Sequence, residues 1–352
     1  MSSNWLAGKS VLITGASGTI GSALVNAVLA MHPKVIRALD SHEHGLFGLQ
    51  QQVGDMEDVR WLLGDIRDRQ RLQRAMEGID VVFHTAALKH VALGEYNPFE
   101  VVQTNLMGLQ NVITGALEND VERVIFTSSD KAVNPTNTMG ASKLMGERLV
   151  SAAQQMRGKS RTTFASVRFG NVVGSNGSVT TIFRQQISQG GPITLTDRRM
   201  TRFVMGLDQA VRLVLRAGEL CIGGELFVMK MHALRIADLA DVMIESLAQS
   251  YGYRPDEIGT VEIGCRPGEK LYEELLMEAE LSNSYEDDEF IIFAGKQTDD
   301  PNVPPYPHLA TMRPVAAPYH SDLTRHMSKA EIEAFLVELG ILKCPEIAEV
   351  HA

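Results

Sequence analysis

Short apolar runs alternate with helix-length segments along the first half of the chain. The runs are Ser10 to Ile13, Val35 to Leu39, Val59 to Leu63, Val81 to His84, Val124 to Thr127 and Phe164 to Arg168, and each ends in a polar or Gly-rich turn. Continuous rather than alternating apolar runs belong to strands covered on both faces, and strand–helix alternation predicts parallel strands joined by crossover helices. The expected fold class is therefore α/β, a doubly wound parallel sheet. Beyond Asn171 the regularity breaks: Gly174 to Gly191 is rich in Gly, Ser and Thr, and Glu225 to Met229 and Val261 to Ile263 read as isolated strands. A smaller C-terminal substrate domain, interleaved with the last elements of the sheet, is expected there.

The expected boundaries are 1–173 for the doubly wound domain, with a return near 204–235, then 174–203 and 236–300 for the smaller domain. The remainder, 301–352, is read as a Pro-rich wrap and a terminal helix. Six of the thirteen prolines fall between Gln297 and Pro318. Ser328 with Glu331 forms a capping box, after which Ile332, Phe335, Leu336 and Leu339 share one face.

A length of 352 residues and a hydrophobic content of 44% suit an enzyme-sized globular protein. The formal charge of −10 argues against a nucleic-acid binder, so any phosphate must be held locally. Val11 to Pro33 lacks charged residues, yet its Gly, Ser, Thr and Asn content fits a buried strand and helix rather than a membrane span. The three cysteines, Cys221, Cys265 and Cys344, are too scattered for a disulfide framework or a zinc site. No metal is expected, and the cytoplasm is the expected compartment.

The glycines of TGASGTIG, Gly15, Gly18 and Gly21, follow the first strand and open the first helix, with Ser17, Thr19 and Ile20 between them. This is the Rossmann arrangement, in which backbone N–H groups and a helix N-terminus meet a pyrophosphate. Asp40 ends the second strand, where a carboxylate accepts from ribose hydroxyls and repels a 2′-phosphate. NAD is the expected cofactor, with NADP left open by Arg37, Ser41, His42 and His44 nearby. Asp65 could meet the adenine amino group, with Ile66 lining the base, or could equally cap the following helix.

After the fifth strand come Ser129, Asp130 and Lys131, then Met139 and, four residues on, Lys143. A hydroxyl, an acid and an amine thus stand at the carboxyl end of a strand, where α/β sheets bind ligands. Here the chain resembles the extended short-chain dehydrogenase/reductases, with a Ser or Thr after this strand and Tyr-x-x-x-Lys on the next helix. Within them it is most similar to the UDP-N-acetylglucosamine 4,6-dehydratases of polysaccharide biosynthesis. The segments that carry the resemblance are HTAALKHVALGEYNPFEVVQTNLMG, TSSDKAVNPTNTMGASK, VRFGNVVGSNGSV, GGPITLTDRRMTRF and RPGEKLYEEL.

The resemblance implies oxidation at sugar C4, elimination of water across C5 and C6, return of hydride to C6, and inversion at C5. Lys131 is then the base at C5, Asp130 the acid at C6, and Lys143 the partner of the nicotinamide ribose. Ala86, Ala87 and Asn105 fall at cofactor-side positions. Lys89, Asn171, Thr194, Thr201, Arg202, Arg266 and Glu269 are the expected substrate contacts. A homo-oligomer is implied as well. Met139 stands where the family has Tyr and cannot take a proton, so the C4 base is left among Asp130, Lys131 and a water held by Ser129. A nucleotide-sugar 4-epimerase and a non-catalytic dinucleotide-binding protein are the alternatives; the Asp130–Lys131 pair counts against the first, and the intact Asp130, Lys131 and Lys143 against the second.

Overall fold

The computed structural model describes residues 4–175, 177–266, 268–294 and 306–343. Cys344, and with it part of the expected 301–352 segment, lies outside them. In chain order the strands are β1 (Ser10–Thr14), β2 (Val35–Asp40), β3 (Val59–Leu63), β4 (Val81–His84), β5 (Arg123–Thr127), β6 (Thr163–Arg168), β7 (Asn171–Val172) and β8 (Ile193–Leu195). They continue with β9 (Thr201–Met205), β10 (Leu226–Met229), β11 (His232–Arg235), β12 (Thr260–Glu262), β13 (Ser284–Glu286), β14 (Phe290–Phe293) and β15 (Arg313–Pro314).

The chain divides into two compact units. The first, 1–169, 207–230 and 274–318, holds a ten-stranded sheet in the order β15-β13-β14-β10-β6-β5-β4-β1-β2-β3. The seven strands from β10 to β3 run parallel, and β14, β13 and β15 extend them antiparallel. Every residue of β1 and β4 is buried, as the unbroken apolar runs require. Strand order reverses between β1 and β4, and the register there pairs Thr14 with His84 and His84 with Phe126. The loops after β1, β4 and β5 therefore leave the same edge of the sheet side by side, at the switch point where such sheets take ligands.

The second unit is 170–206, 231–273 and 319–352. It holds the three-stranded sheet β11-β9-β7 and the pair β12-β8. The stretch after Gly174, read from its composition as irregular, contains the helix Val179–Ser188. Phe183 and Ile187, one turn apart, are buried in the unit's core and outweigh the poor helix formers around them. The terminal helix Lys329–Glu338 has the expected capping box at Ser328 and sends Ile332 and Leu336 into the same core. Two boundaries differ from the sequence expectation. Residues 274–318 rejoin the sheet of the first unit, because β13 and β14 pair back onto β10, and the terminal helix belongs to the second unit. Among the described residues no helix is long and apolar enough to cross a membrane.

Candidate active site

The glycine loop is shaped by close approaches. Gly15 has φ +70°, and a Cβ there would lie 2.6 Å from the backbone N of Ala86; at Gly21 it would lie 2.0 Å from the Gly15 carbonyl oxygen. Only glycine lets the helix Thr19–Leu29 start this near the strand. That helix has no side-chain cap at Gly18, where an added Cβ would have only the Gly15 carbonyl within 4 Å, at 3.3 Å. The open side of the loop is thus a backbone cradle with a positive helix end, suited to a diphosphate. Asp40 braces it: Oδ2 accepts from the Ser17 backbone N–H at 2.9 Å and the Ser17 hydroxyl at 2.8 Å, and Oδ1 accepts from the His42 N–H at 2.9 Å.

Asp65 is paired with its neighbour Arg67, and Ile66 packs inward. Arg67 donates to Asp65 through Nε and Nη2, at 2.8 and 2.6 Å, and holds its carboxyl below the ordinary value. The cap of the helix Arg69–Met76 is instead Asp68, which accepts from the Arg71 N–H. Ile66 is buried in the core, filling the space a side chain at Gly108 would need.

The loop after β4 carries Ala86, Ala87 and Lys89. Buried Asn105, on the π-helical turn Val102–Met107, ties it down. Its Oδ1 accepts from the Leu88 N–H at 2.8 Å, and its Nδ2 donates to the Leu88 carbonyl at 3.0 Å and to the Ser142 hydroxyl at 2.9 Å. Asn105 therefore fixes the loop to the helix Thr138–Met156 rather than presenting its amide to solvent. Lys89 is exposed at the loop, although enough protein surrounds its amine to lower it from the ordinary value.

The turn after β5 brings the acid and the amine together. Asp130 is fully buried, and its Oδ1 accepts from the Ser129 hydroxyl at 2.8 Å and from Lys131 Nζ at 3.1 Å. Asp130 Oδ2 is buried with no hydrogen-bond partner among the described residues. Met139 and Lys143 sit on the helix Thr138–Met156, both buried. Lys143 Nζ donates to the Thr127 carbonyl at 2.8 Å and lies 4.8 Å from the centre of the Phe126 ring. Burial lowers its amine to about 8, while Glu147 pulls the other way. A Cβ at Gly140 would lie 2.2 Å from the Lys131 carbonyl oxygen, so this glycine sets how closely the helix approaches the turn after β5.

The sequence reading missed four neighbours. His84 is buried and held neutral, its ring pushed down to about 3 by burial and secondarily by Lys143; Nδ1 meets the Thr14 hydroxyl at 2.7 Å and the ring stacks on Phe126. Asn134, at φ +43°, donates to both carboxylate oxygens of Glu274 at 3.1 Å and anchors the chain just beyond Lys131. Glu147 and Arg168 form a buried ion pair. A charged residue ending an otherwise apolar strand, and an acid one turn after Lys143, were the available signals.

In the second unit three expected ligand contacts turn inward. Arg202 donates to the carbonyls of Thr201, Leu271 and Lys270 at 2.7, 3.2 and 2.9 Å and lies 3.7 Å from Glu273, so its charge is answered within the unit. Thr201 shares a hydrogen bond with Ser321 at 2.8 Å, and Thr194 accepts from Gln186 at 2.8 Å. Asn171 is half-buried on β7, Arg266 is exposed, and Glu269 is half-buried three residues further on. Among the described residues no three His, Cys, Asp or Glu side chains gather as metal ligands.

A doubly wound sheet with a glycine loop at its switch point, a hydroxyl and acid after β5, and a buried helix lysine define an extended short-chain dehydrogenase/reductase. The family model described as polysaccharide biosynthesis protein matches residues 11–294, and the chain belongs to that family. A Methanocaldococcus jannaschii protein described as an uncharacterized membrane protein is 51% identical over 292 residues, 83% of this chain and 87% of its own. A Campylobacter jejuni UDP-N-acetylglucosamine 4,6-dehydratase (inverting) is 39% identical, covering 79% of this chain and 80% of its own. A Rickettsia prowazekii UDP-glucose 4-epimerase is 37% identical, covering 78% and 80%. The chain spans about half (46%) of the Staphylococcus aureus capsular polysaccharide biosynthesis protein CapD, which is 40% identical and matches 78% of this chain. Among solved structures, Pen from Bacillus thuringiensis superposes with a TM-score of 0.90 at 43% identity, covering 96% of this chain and all of its own. The Streptomyces venezuelae dTDP-glucose 4,6-dehydratase DesIV, solved with NAD and TYD, gives 0.66 at 25% identity, covering 74% and 86%.

Proposed function

We propose that this chain is a nicotinamide-dinucleotide-dependent 4,6-dehydratase acting on UDP-N-acetylglucosamine with inversion at C5. The observation that carries this reading is the contact between buried Asp130 and Lys131 at the carboxyl end of β5. Elimination needs an acid and a base at adjacent carbons, and a 4-epimerase needs neither. Relatives named dehydratase and relatives named epimerase match at similar identity, so it is the acid–base pair, rather than overall likeness, that supports the dehydratase reading.

The loop amides after Gly15 and the start of the helix Thr19–Leu29 would hold the diphosphate, and Asp40, already oriented by Ser17 and His42, would receive the adenosine ribose. A carboxylate there favours NAD over NADP. Lys143 would hold the nicotinamide ribose. When bound, the dinucleotide supplies the hydride acceptor at sugar C4 and the hydride donor at C6.

Asp130 and Lys131 form a pair of zero net charge. Passing one proton from Lys131 Nζ to Asp130 produces a neutral amine and a neutral acid without changing the charge of a buried site, and those are the forms that elimination uses. Lys131 then takes the C5 proton, and Asp130 delivers the proton it received to the departing C6 hydroxyl, which leaves as water. Met139 leaves the C4 hydroxyl proton to Asp130, Lys131 or a water held by Ser129. The test is turnover in deuterium oxide. Wild type should place deuterium at C5 of the product, and Lys131→Ala should lose about two orders of magnitude or more of that incorporation; undiminished exchange in the variant would overturn the assignment.

A further inference from the structure

Behind the catalytic turn lies a buried charge cluster that the proposed chemistry does not use. Arg168, fully buried at the end of β6, donates from Nε and Nη2 to the two oxygens of Glu147 at 3.0 and 2.6 Å. From its other side it donates to Glu280 at 2.9 and 3.2 Å and to the Leu275 carbonyl at 2.7 Å. The Ser128 hydroxyl donates to Glu147 Oε1 at 2.6 Å. A bidentate, fully buried contact of this kind fixes a carboxylate far more tightly than an exposed helix position does. Glu147 lies four residues after Lys143, one turn along the same helix face. Two carboxylates against one guanidinium leave one net negative charge in the cluster.

We propose that Glu147, clamped by Arg168 and Ser128 one turn along the helix from Lys143, supplies the counter-charge that the buried ammonium of Lys143 needs. The proposal rests on the reading of Lys143 as a site residue. The groups facing that ammonium are the Phe126 ring and Thr127 carbonyl of β5, neutral His84 of β4, and Glu147 of its own helix. Asp130 and Lys131 stand on the turn just beyond Thr127, and Arg168 stands behind Glu147. Glu147 is thus the anion that offsets the cost of burying Lys143, and Arg168 keeps it in place.

The experiment reads Lys143 directly in the full chain, with no substrate present. Competitive acetylation across a pH series, followed by peptide mass spectrometry, gives the ionisation midpoint of Lys143. Glu147→Gln should lower it by about one pH unit or more, and Glu147→Asp, which keeps the charge but withdraws it, by a smaller measurable amount. Glu280→Gln loosens the same arginine from its far side and should move the midpoint by less than half as much as Glu147→Gln. An unmoved midpoint in Glu147→Gln, or an equal fall in Glu280→Gln, would reduce the cluster to a scaffold and overturn the proposal; if Glu147→Gln does not fold, an unmoved midpoint in Glu147→Asp does so. Because no turnover is involved, failure of the dehydratase reading, seen as no loss of water by the wild type, is a separate result.

Discussion

Replacing Lys143 with methionine removes a buried amine while keeping most of the side chain's length, and it isolates what the charge costs the fold. Burial lowers the amine from 10.5 to about 8. At about 1.4 kcal/mol per pH unit, that gap corresponds to about 3 kcal/mol. Below pH 8 the folded and unfolded chains both carry the proton, and the folded protein bears the whole penalty. Between about 8 and 10.5 the unfolded chain binds a proton that the folded one has released, so wild-type stability rises with pH through this window. Lys143→Met lacks that rise. The assay is urea unfolding of both proteins at pH 7 and at pH 10, followed by the fluorescence of Trp5 and Trp61, both in the first unit. Contributions common to both proteins cancel in the difference, which should move in favour of the wild type by about 2 to 3 kcal/mol. A difference that moves by less than about 0.5 kcal/mol would refute the placement of a strained, charged amine at this position.

Three further substitutions separate the parts of the site. Gly140→Ala puts a Cβ 2.2 Å from the Lys131 carbonyl oxygen; displacing the catalytic turn should cut kcat by about tenfold or more and leave dinucleotide affinity, read by calorimetry, unchanged. Gly21→Ala should do the reverse, since its Cβ would strike Gly15: dinucleotide binding is lost first, and a variant that binds as tightly as wild type would contradict the cradle. Arg202→Met tests the inward arginine, whose loss should lower the melting temperature with KM for the nucleotide sugar unchanged; a KM raised about tenfold would restore it as a substrate contact.

Much of this architecture was legible because its signals are local. A parallel strand buried on both faces writes an unbroken apolar run, and β1 to β6 were all read to within a residue or two. Asp130, Lys131 and Lys143 lie on one turn and one helix, so their nearness was local in the sequence, while their expected roles came from the family resemblance. What stayed hidden joins residues far apart in sequence. Arg168 meets Glu280 across 112 positions, and no period in the chain announces that pairing. The contacts of Arg202 within its unit were hidden too, since they join it to the carbonyls of Leu271 and Lys270 and to Glu273, about seventy positions on. The return of residues 274–318 to the first sheet was invisible for the same reason, since it depends on strand pairing across the second unit's whole excursion.

The central claim is elimination of water, and the product's mass tests it most directly. Incubating the purified chain with UDP-N-acetylglucosamine and NAD should give a nucleotide sugar lighter by one water, with the keto group at C4. A product of unchanged mass carrying the inverted hydroxyl at C4 would contradict the account and make the chain an epimerase.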